Sequence, residues 1–137
     1  MIKNEKQYKI TNKRLLEIDG AVQKAQQSGK VDEKRQAYIN SLLVLKKQMT
    51  EEIRHYNDTR SKGISLKRNS SLNRLPDVLI QHKISRRFSQ KQFAEILGIK
   101  EQQLQRYEAD NYKSVSFGRL LEYIEKAKIK IKLTVES

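Results

Sequence analysis

The chain has 137 residues, enough for one domain or a small domain with an extension, and it carries 29 Lys and Arg against 16 Asp and Glu, a net charge of +13. That surplus points to a polyanionic partner, with nucleic acid ahead of a membrane surface or a bare solubility effect. The absence of cysteine excludes a disulfide framework and thiolate metal ligation.

No apolar run approaches the roughly 18 residues of a membrane span, and "MIKNEKQYKI" lacks the apolar core of a secretory signal. A cytoplasmic protein is expected, with no membrane partner. Residues 1–60 hold 13 basic and 8 acidic residues, and residues 61–137 hold 16 and 8. Both halves are basic, so charge alone does not locate the partner site.

The first half is helical by periodicity. Thr11 is placed to cap a helix presenting Leu15, Ile18, Val22 and Ala25 on one face. Gly20 lies inside it and weakens it by about 1 kcal/mol relative to Ala. "SGK" at 28–30 breaks the pattern, and Asp32 caps a longer helix running to Tyr56 or Arg60. Its stripe is Tyr38, Leu42, Leu45, Met49, Ile53 and Tyr56, with Ile39 alongside. The two read as an antiparallel helical hairpin, residues 1–60. Each stripe is narrow, so the hairpin needs a further surface. Three readings are open: an appendage of this chain, a self-association arm, or a docking site for another protein.

Residues 61–74 form a polar linker with a short helical turn near Leu72. Its Lys62, Lys67, Arg68 and Arg74 have the chemistry to touch phosphate, though a solvated linker is the simpler reading. Pro76 suits the first position of a helix carrying Leu79, Ile80 and Ile84. Ser114 or Ser116 caps a later helix with Phe117, Leu120, Leu121, Ile124 and Ala127. The tail "IKIKLTV", 129–135, alternates like a β-strand. A lone strand in a helical domain has no sheet to join, so pairing with a second subunit is favoured over packing on its own domain.

Between these lies "SQKQFAEILGIKEQQLQRYE". Two helices crossing steeply need a tight turn and close backbones. Ala94 permits the approach, Gly98 ends the first helix with a positive φ, and Phe93, Leu97, Ile99, Leu104 and Tyr107 face inward. Ser89 caps the first helix. This spacing is that of a helix-turn-helix.

Residues 75–128 resemble the Xre-type helix-turn-helix domain, the lambda-repressor-like five-helix fold. The quoted run follows that family's succession of Ser/Thr-Gln, Leu-Ala, Leu-Gly and a closing aromatic-Glu. "QRYEADNYKSVSFGRLLE" also resembles a subset of bacterial regulators with helical N-terminal extensions, some of them antitoxins. The fold class implied is mainly α, with the hairpin followed by this domain (residues 75–137) and its short C-terminal strand.

The resemblance implies that the second motif helix, near 101–108, lies in the major groove of double-stranded DNA. Lys100, Glu101, Gln102, Gln103 and Arg106 stand outward there, and their chemistry suits base readout. A Gln-rich face adds little helix stability over Glu/Lys pairs, which also favours readout. Ser89 and Gln90 would bind phosphate at the first motif helix, with Lys91, Tyr112, Lys113 and Ser114 as further phosphate contacts. Glu108 would form an internal ion pair with Lys83. Lys100 departs from the Ser or Thr often found there as a cap.

His55 and His82 stand far apart without companion ligands, so neither metal nor cofactor is expected. No phosphate loop or nucleophile elbow appears, and no enzyme activity is expected. Two functions fit: a repressor acting as a homodimer on a palindrome, or an antitoxin whose hairpin neutralises a protein toxin while the domain autoregulates the operon. A toxin-like neighbouring reading frame would separate them.

Overall fold

Apolar residues at alternating three- and four-residue intervals give long amphipathic helices, and in the computed structural model they do so twice at the start of the chain. Residues 1–27, 29–66 and 70–137 are described. They divide into two compact units, 1–58 and 59–137.

The first unit holds α1 (Glu5–Gln27) and most of α2 (Glu33–Lys62). Helix α1 begins earlier than Thr11 predicts. Asn4 Oδ1 accepts from Gln7 N–H at 2.8 Å, and Gln7 Oε1 accepts from Lys3 N–H at 2.8 Å. That reciprocal cap satisfies orphan donors that Thr11, now inside the helix, would have served. Asp32 caps α2 as expected, accepting from Arg35 N–H at 2.8 Å. Leu15, Ile18, Val22 and Ala25 are buried or half-buried.

On α2 the stripe differs from expectation. Ile39 is buried, whereas Tyr38 and Leu45 are exposed. The buried and half-buried row is Ile39, Leu42, Met49, Ile53 and Tyr56. Lys46, exposed beside Leu45, pairs with Asp19 of α1 at 2.8 Å. Tyr8 stacks on Tyr56 with centroids 4.8 Å apart. With Met1 beside Glu52, these contacts set the helices antiparallel.

The second unit holds a 3-10 turn (Leu72–Arg74), α3 (Leu75–Ser85), α4 (Gln90–Leu97), α5 (Glu101–Ala109) and α6 (Phe117–Lys126). Pro76 stands second in α3 rather than first. Leu79, Ile80, Phe93, Leu97 and Leu104 are fully buried and form the core with Ala94, Leu120 and Ile124. Phe88, Phe93 and His82 cluster on one side with centroids 6.3 to 6.5 Å apart. Residues 75–126 thus form four α-helices where the resemblance implies five.

Among the described residues no β-strand is present. The expected strand at 129–135 does not form within the single chain: a strand is defined by its ladder, and none of the described residues pairs with the tail. No helix among them is long and apolar enough to cross a membrane.

The four helices end alike. A residue at positive φ closes each one, followed by a backbone N–H bonded five residues back. The residues are Arg87, Gly98, Asn111 and Lys128. The bonds run Phe88 to Lys83, Ile99 to Ala94, Tyr112 to Tyr107, and Ile129 to Ile124. These are Schellman-type ends, which satisfy otherwise orphaned carbonyls.

Candidate nucleic-acid interface

Helix α4 begins at Ser89, whose Oγ accepts from Gln92 N–H at 3.1 Å while Gln92 Oε1 accepts from Ser89 N–H at 2.9 Å. This is a complete capping box. It holds the exposed N-terminus of α4 rigidly, with Lys91 on its surface. The helix ends at Gly98, φ 73°. Lys126 Nζ donates to Leu97 O at 3.3 Å, which caps the same end from α6.

Helix α5 begins after Lys100, which makes no side-chain cap. Leu104 and Glu108 point inward and are buried. That fixes the opposite face. Glu101, Gln102 and Arg106 are exposed together, with Lys100 just ahead of them. Gln105 shares this face and was missed in the sequence reading. The signal was there: it stands four residues from Glu101, one helical turn. Gln103 lies on the flank, half-buried, and donates to Tyr107 Oη at 2.7 Å.

The two motif helices are registered by a buried charge cluster. Lys83 Nζ lies 2.8 Å from Glu108 Oε1 and 2.7 Å from Oε2, with both side chains 2 % exposed. Gln90 Nε2 also donates to Glu108 Oε1 at 2.8 Å. This is the internal pair the resemblance implies. Burial pushes the Lys83 ammonium below the ordinary lysine range, and the Glu108 carboxylate pulls it back up. Gln90, expected at phosphate, has its amide committed to this cluster and serves to join α4 to α5.

Tyr112 is the clear correction. It was expected at phosphate, but only 2 % of it is exposed. Asn111 and Tyr112 both take positive φ, 56° and 58°, which turns the ring back beneath α5. It packs against Tyr107 with centroids 5.9 Å apart. Its hydroxyl has no hydrogen-bond partner among the described residues. Burial, with the Glu108 charge beside it, raises its pKa well above the usual tyrosine range.

Lys113 and Ser114, just beyond, remain exposed. Ser116, not Ser114, caps α6, its Oγ accepting from Arg119 N–H at 3.2 Å. Arg86 and Arg87 are exposed at the α3–α4 corner. Arg119 sits beside the hydroxyls of Tyr107 and Tyr123, which raise its pKa further. None of these three arginines is marked by the motif's spacing, because a turn and a cap place them.

Of the linker cations, Arg74 is held by Asp77 at 2.7 Å, and Lys67 and Arg68 lie outside the described residues. Among the described residues no group of three or more metal-ligating side chains gathers. His82 is pushed below the ordinary histidine range by burial and by Arg86.

The geometry is therefore a capped helix, a left-handed turn, and a second helix whose outer face carries one acidic, two amide and one guanidinium side chain. Residues 82–132 match a helix-turn-helix family model. No curated protein and no solved structure matches the chain.

Proposed function

From the Xre-type, lambda-repressor-like helix-turn-helix domain over residues 82–132, we infer that the protein is a sequence-specific regulator of transcription that reads double-stranded DNA. It acts as a repressor, as a homodimer on a palindromic operator, in the cytoplasm and without enzymatic activity. The observation that carries this reading is the outward row Glu101, Gln102, Gln105 and Arg106 on α5. Amides pair bidentately with adenine and guanidinium with guanine. Ser89, Lys91, Lys113 and Ser114 flank that row in sequence and suit phosphate. One such helix covers only a few base pairs, so a two-fold pair reading half-sites about 10 bp apart supplies the missing specificity.

Binding to duplexes at graded salt tests it. Affinity should fall by orders of magnitude between about 50 and 200 mM salt if roughly six or more phosphates are contacted. Arg106→Ala should cost about 1–3 kcal/mol on the preferred site and relax its sequence, whereas Lys113→Ala should weaken all sequences alike. A flat salt response, or an unchanged preferred site in Arg106→Ala, rejects the assignment.

A second reading rests on the hairpin. It leaves Leu16, Tyr38 and Val44 more than half exposed, and single apolar residues of that size suit a protein partner. In that reading the protein is an antitoxin. Co-expression with the product of the adjacent reading frame should then give a stable complex that Leu16→Glu and Val44→Glu disrupt.

A further inference from the structure

The end of α6 is unusual in what it does with the chain. Lys128 takes a φ of 57°, and Ile129 N–H donates to Ile124 O at 3.1 Å. This turn folds the tail back along its own domain. Ile129, Ile131 and Leu133 then line an apolar groove of about 330 Å³ with Leu72, Phe117 and Leu121. Every second tail residue faces the groove, the period of an extended strand. Lys128, Lys130 and Lys132 have the other parity.

Two features mark the groove as unfinished. Among the described residues no backbone hydrogen bond involves the tail beyond Ile129, so one wall is an extended segment with an open edge. And Leu133 is 69 % and Val135 92 % exposed.

We propose that the occupant is the tail of a second copy, paired antiparallel about a two-fold axis through Leu133. This rests on the homodimer reading above and adds its interface and register. Directly opposite residues of an antiparallel ladder share a face, so even positions meet even and odd meet odd. Centring the pair on Lys130, Ile131 or Lys132 sets at least one lysine against another, which is destabilising. Centring it on Leu133 sets each Lys130 against Glu136 of the other copy and each Lys132 against Thr134. The odd face then pairs Leu133 with Leu133, and Ile131 with Val135 twice. A centre on Thr134 would also avoid lysine pairs but would leave Ile131 against Ser137. The tail lysines thus blunt the edge to most pairings, and of the two that remain only the Leu133 centre sets Ile131, Leu133 and Val135 all against apolar residues.

The chain has no cysteine, so single cysteines in the full-length protein report the register cleanly. Leu133→Cys should cross-link into a disulfide dimer under mild oxidation, since opposite Cα atoms lie about 4.5–5.5 Å apart. Ile131→Cys should not, because its own mate would be about 14 Å away along the ladder. In sedimentation, Lys130→Glu and Glu136→Lys should each weaken the dimer about tenfold, and the double swap should restore it. Cross-linking of Ile131→Cys with Leu133→Cys silent would overturn the register and leave the homodimer standing. A wild-type protein that is monomeric and binds its palindrome as a monomer would overturn the homodimer reading itself.

Discussion

Replacing Lys83 by Met should destabilise the DNA-reading unit by about 3–5 kcal/mol, the usual cost of stripping one partner from a buried ion pair. The structure sets this value. Both side chains are 2 % exposed, and the ammonium sits 2.7 Å from Glu108 Oε2. At an effective dielectric of about 20, charges that close attract by roughly 6 kcal/mol. Desolvating two ions takes back a comparable amount, so the intact pair adds little net stability. Lys83→Met removes the attraction and leaves the carboxylate buried, with the Gln90 amide as partial compensation.

The double variant Lys83→Met/Glu108→Leu removes both charges and should recover all but about 1–2 kcal/mol, the remainder being the stranded Gln90 amide. Denaturation followed by the near-ultraviolet signal of the Tyr107, Tyr112 and Tyr123 cluster reads this unit. The double variant should also relax sequence preference, because an apolar contact in place of the charge cluster no longer fixes the rotation of α5. A loss under 1 kcal/mol in Lys83→Met, or a double variant as unstable as the sum of the singles, would refute the reasoning.

Gly98→Val should cost about 1–3 kcal/mol. An added Cβ would meet only the flexible end of Lys126, at 3.4 Å, so the cost is the backbone's, and Gly98→Asn should lose much less in the same denaturation assay. Tyr112→Phe should be neutral or stabilising at pH 7, since it deletes a buried hydroxyl without a partner. The folded-state pKa of Tyr112 is raised above the ordinary 10, so above pH 10 the unfolded chain ionises first and stability falls as pH rises; melting curves across pH 9–11 should show that fall reduced in Tyr112→Phe.

What could be read in the sequence was what obeys local rules. Ala94, Gly98 and Leu104 mark the motif because close helix approach, a left-handed end and an inward leucine each demand a particular residue type. Ser89 and Asp32 mark caps for the same reason. The other left-handed ends were invisible, because Arg87 and Lys128 carry no propensity for positive φ. They are held there by the bonds of Phe88 to Lys83 and Ile129 to Ile124. Tyr112 was misplaced on that account: a tyrosine in a polar loop reads as exposed unless the turn of Asn111 is known. Tyr38 and Leu45 were misplaced because apolar character alone does not choose between neighbours. The side of α2 that faces α1 is the one that buries Ile39 and Tyr56, with Tyr56 stacked on Tyr8.

The same distinction explains how the site is built. The side chains suited to reading DNA make few structural contacts, and those that fix their position never reach it. Glu108 receives Lys83 from α3 and Gln90 from α4, so one buried carboxylate on α5 ties three helices together. A hydrophobic contact at that point would be at least as stabilising, but it would tolerate sliding and rotation. Hydrogen bonds of 2.8 Å and an ion contact of 2.7 Å do not. Rotating α5 by one residue, about 100°, would exchange Gln102 for Gln103 on the outer face. It would also carry Glu108 away from both partners. The charge cluster therefore contributes orientation more than stability, and the orientation it sets is the one that presents Glu101, Gln102, Gln105 and Arg106 together.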